Sequence, residues 1–274
     1  IMATHGSAFP IAKLALNNNV PPILMASLRM GLVMLILIPF WKLKIPEKKY
    51  LKSLIIFSVS MGVMVYVFMN LSLKHSSFIS PIIIGAQLAV PFAVLLSAVM
   101  IGENISSKKW MFVILAFIGI VIVFFDPELK NNLLGLFFAS LMALFFAIAQ
   151  VYSRQLKELS LTLINAYTGF FGFFVLIVVS FFLEGEVVFN IKNINFESWI
   201  LIGYQAVIVS LFAHMSMFYL YKFYTVGQIF PFYSLFPIFG IILTFLIFGE
   251  VPSVLFFIGS FIVISSVILL QKTK

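Results

Sequence analysis

Apolar stretches of about twenty residues follow one another along this chain with only brief polar breaks, and a membrane-spanning helix needs roughly that length. The breaks fall where charge, proline and asparagine cluster. Ten runs result: 1–16, 20–40, 50–72, 78–101, 107–125, 132–152, 161–183, 198–221, 228–248 and 252–270. Pro21 and Pro22 suit the first turn of the second run, and Pro252 suits the start of the tenth, because the missing proline N–H has no helical partner there. The pattern predicts an all-α polytopic membrane protein with ten transmembrane helices. The first run is short and begins at Ile1, so further residues are expected to precede it.

Composition agrees with the pattern. The 274 residues are 63% hydrophobic and 9% charged, against about a quarter charged in a soluble domain. There is no cysteine, which removes disulfides, thiolate nucleophiles and cysteine metal sites together. The net charge of +8 does not point to nucleic acid, since most of the Lys and Arg residues lie in short loops, where they orient the protein. Twelve of them, among them Lys48, Lys49, Lys52, Lys108, Lys109, Arg154 and Lys272, fall on one side, against Lys13, Lys74, Lys130 and Lys192 on the other. This bias predicts a multi-pass protein of a bacterial inner membrane with the 41–49 loop and the C-terminus in the cytoplasm. No cleavable signal peptide is visible.

The chain also repeats itself. Phe9-Pro10-Ile11-Ala12-Lys13 in the first run matches Phe146-Ala147-Ile148-Ala149-Gln150 in the sixth, an offset of 137. Gly102-Glu103 after the fourth matches Gly249-Glu250 after the ninth, an offset of 147, the difference being absorbed by the long 184–197 loop. Pro91 and Pro237 stand within the two helices concerned. Five helices per half is an odd number, so the second half enters the membrane upside down. The expected organisation is two inverted five-helix repeats, residues 1–126 and 132–271.

These residues resemble the drug/metabolite transporter superfamily, in particular its EamA branch of ten-helix exporters. Gly6-Ser7-Ala8-Phe9 with Lys13 is similar to the family's first-helix pattern, and Pro22 with Ala26 and Arg29 to its second. Pro91 before Gly102-Glu103, and Pro237 before Gly249-Glu250-Val251-Pro252, resemble the ends of its fourth and ninth helices. Gly119 and Gly259 stand where members often have glycine. Three departures are visible: His5 replaces a common tryptophan, and Phe112 and Ser266 replace glycines. The resemblance implies two inverted bundles around a central cavity, helices 5 and 10 at the periphery, and export of amino acids or related metabolites by alternating access.

Ionisable groups inside a bilayer are costly and therefore candidates for function. Arg29 lies near the middle of the second run, placed either to pair with a substrate carboxylate or to satisfy groups inside the bundle. Lys13 is a second cation, near the end of the first run, with snorkelling as its alternative. His214 and His5 are candidates for the cavity wall, and His214 for proton coupling. Tyr66 and Asn70 share a face at i, i+4, Gln87 and Tyr233 each precede a helix proline by one turn, and Gln150 ends the sixth-run repeat. For each of these an interhelical hydrogen bond is the alternative. Pro91 and Pro237 are hinge candidates or static kinks. Glu103 and Glu250 are expected to favour the N-termini of the helices that follow them.

No acidic residue falls in the middle of a run, so a carboxylate proton relay is not expected. An intramembrane enzyme would need two carboxylates, an H-E-x-x-H helix or a paired Ser and His, and the sequence singles out none of these. A selective pore would repeat a filter motif or a ring of charge, and nothing here does so. The sequence therefore predicts a secondary carrier for a small metabolite, most simply an amino acid or related zwitterion moved outward, with uptake or exchange of a larger metabolite as the second reading. No cofactor or metal is expected. The expected partners are the small-molecule substrate and the lipid bilayer, with no nucleic acid, and a second copy of the chain is left open.

Overall fold

In hydrocarbon every peptide N–H and C=O must find a partner within the chain, which makes helices the solution for apolar runs of this length. The computed structural model describes residues 1–41, 45–185, 191–213, 216, 220 and 234–273, with the backbone alone at 101 and 131. Among these residues the structure is all-helical, without a strand. The helices are α1 (Met2–Asn17), α2 (Pro22–Trp41), α3 (Lys48–Lys74), α4 (Ser80–Met100), α5 (Ser107–Phe124), α6 (Leu133–Leu156), α7 (Leu161–Glu184), α8 (Phe196–Ala213), α9 (Phe236–Phe248) and α10 (Val254–Lys272). Eight are long and apolar enough to cross a bilayer, whereas α1 and α9 have 16 and 13 residues.

The helix starts are chemically marked. Ser106, Ser160, Asn195 and Ser253 each accept a main-chain N–H in the first turn of α5, α7, α8 and α10. Ser253, not the preceding Pro252, therefore opens α10, which corrects the expectation that this proline occupies its first turn. Gly102 and Gly249, equivalent by the 147-residue offset, end α4 and α9 in the left-handed region with φ of 72° and 66°.

Contacts between helices follow the repeat. α2 lies against α7, and α5 against α10, so each of these helices meets its own counterpart. α1 lies against α8 and α9, and α6 correspondingly against α3 and α4. The contacts therefore pair the first five helices with the second five in corresponding positions. Apolar side chains do not drive association in lipid, so close backbone contact has to, and glycines provide it. A Cβ on Gly119 would lie 2.9 Å from the Gly259 carbonyl oxygen, and one on Gly6 would lie 2.6 Å from the Gly240 nitrogen. Lipid-facing surface is left on α5, α7 and α10, where Ile114, Ile118, Phe174, Phe182, Phe257 and Phe261 are exposed.

Three interruptions interest the interior. α3 contains a π-helical turn at Ser60–Met64 and α8 another at Gln205–Ala213, in the third helix of each repeat. Such turns concentrate at functional sites. In α4 the chain tightens into a 3₁₀ turn at Ala86–Leu88, directly before Pro91. Proline has no N–H, so Pro91 leaves the Gln87 carbonyl without its usual helical donor.

Candidate functional site

The interruptions border a cavity between the two repeats. Its wall comes from α1 (His5, Ala8, Phe9), α2 (Arg29), α3 (Met61, Val65, Tyr66, Met69), α4 (Ala86, Gln87, Ala89, Val90), α6 (Met142, Ala143, Phe146, Gln150), α8 (Val209) and α9 (Phe236). Neither α5 nor α10 contributes a lining residue. The 137-residue offset maps His5 onto Met142 and Phe9 onto Phe146, and all four line the cavity.

Among the described residues of this wall Arg29 is the charged group, and it is only 4% exposed. Its Nε donates to Ser210 Oγ at 2.9 Å and its Nη1 to Gln205 Oε1 at 2.8 Å. Its guanidinium carbon lies 4.3 Å from the centroid of the Tyr66 ring, a cation–π arrangement. Gln205 passes the connection on, its Nε2 donating to the Ala8 carbonyl at 2.6 Å. One cation thereby joins α1, α2, α3 and α8, while Nη2 has no hydrogen-bond partner among the described residues. Both amino acids that hold it stand on the π-helical turn of α8.

Eight of the nine carboxylates lie on described residues, and none of these eight lines the cavity. Glu47 and Glu158 lie beside Lys49, and Glu103 lies 3.3 Å from Arg154. Asp126 accepts from Glu128 N–H and from the Ser253 hydroxyl. Glu197 is in the first turn of α8, and Glu186 lies outside the described residues. Glu184 and Glu250 cap helices. Glu184 accepts the Ile23 and Leu24 N–H groups at 2.8 and 2.9 Å at the start of α2. Glu250, 8% exposed, accepts the Ile79 and Ser80 N–H groups at 2.7 and 2.8 Å at the start of α4. The expectation for Glu103 and Glu250 is corrected here: Glu250 serves a helix distant in sequence, and Glu103 is in an exposed ion pair.

The other sequence candidates separate into two groups. Tyr66, Gln87, Gln150 and His5 join Arg29 around the cavity. Gln87 is 2% exposed, and its Nε2 has no hydrogen-bond partner among the described residues. The Gln150 amide is likewise unpaired there. Lys13 and Asn70 do not line the cavity. Lys13 Nζ donates to the Leu73 and Ser76 carbonyls at 2.6 and 2.7 Å, because the end of α3 offers main-chain acceptors that no helical N–H reaches. Asn70 Nδ2 donates to the Pro22 carbonyl at 2.9 Å. Pro91 is buried in α4 beside the cavity, and Pro237 stands in the first turn of α9. His214 and Tyr233 lie outside the described residues.

Lys13, Glu250 and Asn132 converge on one segment, residues 73–80, between α3 and α4. Asn132 Oδ1 accepts the Ser77 N–H at 2.6 Å and the Ser76 hydroxyl at 3.1 Å. The start of α6, the C-terminal part of α1 and the α9–α10 junction thus clasp that connection from three sides. At the opposite end Arg154–Glu103 and Lys49–Glu158 are solvent-exposed pairs, of the kind that contributes little. Sequence reading missed the clasp and the Gln205–Ser210 cradle. A signal for the cradle exists, since Gln205 is a polar amide within the apolar run 198–221.

Comparison with known proteins supports the architecture. No curated protein matches. A solved structure described only as the crystal structure of a protein superposes with a TM-score of 0.59 over 97% of this chain and 94% of that one, at 15% identity, a likeness in fold alone. The model of the EamA-like transporter family matches twice, at residues 1–125 and again at 133–271. With both halves matched around a shared central cavity, the chain belongs to the EamA-like transporter family of multi-pass membrane proteins.

Proposed function

We propose that the protein is a secondary carrier for a small carboxylate-bearing metabolite, a class that includes amino acids and related zwitterions, and that it releases this solute outward across a bacterial inner membrane. The observation that carries the proposal is Arg29, a cation in the cavity wall with no carboxylate partner among the described residues and one unpaired nitrogen. A buried charge without a counter-charge is costly, and a bound anion removes that cost. Gln87, Gln150 and Tyr66 are the neutral groups we assign to the same site. Residues 1–126 and 132–271 act as the two repeats, and α1–α4 and α6–α9 rock around the cavity while α5 and α10 stay outside it.

The lysine bias supports a reading with the clasp at the periplasmic end and the C-terminus in the cytoplasm. Opening outward then requires release of Lys13, Glu250 and Asn132 from segment 73–80. Direction in a secondary carrier follows the gradients of solute and coupling ion, so uptake or exchange uses the same site. A second reading of Arg29 is favoured by its own contacts, since it interlocks α2, α3 and α8. A metabolite-resolved flux screen in reconstituted vesicles separates the two. The carrier reading expects carboxylates among the transported solutes and their loss in Arg29→Gln; a transported set made up only of neutral or cationic solutes contradicts it.

A further inference from the structure

Away from the cavity, the geometry points to a site for one anionic phospholipid at the Lys108 end of the α5–α10 pair, its acyl chains lying along α5. The two helices are antiparallel. A Cβ on Gly119 would lie 2.9 Å from the Val263 nitrogen, and one on Gly259 would lie 3.3 Å from the Val123 nitrogen, so numbering rises along one helix as it falls along the other. Continued back to the start of α5, that register sets Trp110 level with Lys272 in the last turn of α10. Lys108 and Lys109 directly precede Trp110. Three cations from two touching helices therefore meet at one depth.

Lys108 and Lys272 are exposed, Lys109 is half-buried, and none of the three is in an ion pair among the described residues. The acid nearest them in sequence, Glu103, is taken by Arg154 at 3.3 Å. The far end of the same helix pair carries the opposite charge. Asp126 follows α5 and accepts the Ser253 hydroxyl at the start of α10, and Glu128 and Glu250 line the same small cleft. An anion is thus attracted at one end of the pair and repelled at the other. Next to the lysines the surface turns apolar at once. Met111, Ile114, Leu115 and Ile118 are exposed on α5, at the i, i+3, i+4, i+7 spacing of a single face. Trp110, 39% exposed, supplies the amphipathic ring that suits the headgroup boundary. Phosphate oxygens accept from lysine ammonium groups, and each lysine near a membrane surface draws anionic lipid to it. A soluble anion would leave the apolar stripe unused, whereas a phospholipid matches both parts.

The test uses the full chain in nanodiscs of mixed phosphatidylglycerol and phosphatidylcholine, with bromine on the acyl chains of one lipid or the other to quench neighbouring tryptophan. Trp199→Phe leaves Trp110 as the reporter at this site. Trp110→Phe leaves Trp199, in the first turn of α8 at the other end of the bundle, and the buried Trp41 is common to both. Beside Trp110, phosphatidylglycerol should be favoured over phosphatidylcholine by at least about fivefold, and added salt should reduce that preference. Lys108→Gln, Lys109→Gln and Lys272→Gln combined, at unchanged thermal unfolding, should abolish it, and the three arginine replacements should retain it. If the combined variant unfolds, Lys108→Gln and Lys272→Gln taken singly should each lower the preference. Equal quenching by the two lipids at Trp110, or quenching by neither, overturns the proposal. So does a preference that survives loss of the lysines, or one equally strong at Trp199.

Discussion

A guanidinium in the middle of a membrane bundle is tolerable only if its donors are met, and Arg29 shows how that is arranged. Ser210 and Gln205 take two of its nitrogens, and the face of Tyr66 takes part of its charge. Gln205 is the pivotal neighbour because it both accepts from Arg29 and donates to the Ala8 carbonyl. Replacing it by leucine leaves Nη1 without this acceptor and removes a bond to α1. The expected result for Gln205→Leu is a loss of about 1–3 kcal/mol, read as a lower unfolding midpoint in detergent. An unchanged midpoint would mean that Arg29 is held by other contacts. Tyr66 and Asn70 illustrate what a sequence can and cannot say at this scale. Their i, i+4 spacing places them on one face of α3, yet Tyr66 reaches the cavity and Asn70 reaches Pro22. Their difference arises from the neighbouring helix, which the spacing does not encode.

Helices in this protein are specified by two kinds of signal, one local and one not. The local signals, apolar length and capping residues, place most helix starts and ends within a few residues of their sequence positions. The repeat was legible for the same reason, because Gly102 and Gly249 are chain-local stops. What was not legible is capping at a distance: Glu250 serves α4 and Glu184 serves α2, each well over a hundred residues away. The π-helical turns were also invisible, since they respond to packing and not to a residue pattern. Close approach of α5 and α10 depends on Gly119 and Gly259. A leucine at 259 would meet Val123 and the Gly119 carbonyl within 2.7 Å at its first side-chain carbon. Gly259→Leu should therefore destabilise the fold by about 1–3 kcal/mol, as overpacking does. Because this pair lies outside the cavity, solute affinity in the surviving folded protein should stay at the wild-type value. A fall in affinity at unchanged stability would instead place α10 in the site.

At the level of the whole molecule, the two ends of the bundle differ although the repeats that build them correspond. Lys13 is clasped at one end, whereas its repeat counterpart Gln150 lies in the cavity wall with no side-chain hydrogen-bond partner among the described residues. Glu250 is buried on two N–H groups, whereas its counterpart Glu103 is in an exposed pair. On the carrier reading proposed above, this asymmetry corresponds to a protein closed at the Lys13 end. The chain contains no cysteine, so a single introduced cysteine reports on access without background. With Met69→Cys in the cavity wall, a membrane-impermeant maleimide added from the clasp side should label Glu250→Gln faster than the otherwise unaltered protein. Equal labelling would show that Glu250 does not hold that end shut. The central claim is that a carboxylate solute is carried on Arg29, and paired counterflow in reconstituted vesicles tests it most directly. A transported acid and its amide are compared in the wild type and in Arg29→Gln of matched folding and insertion. The account predicts that the acid is moved faster than the amide by at least about tenfold in the wild type and that this preference vanishes in the variant; the same preference persisting without Arg29 would contradict it.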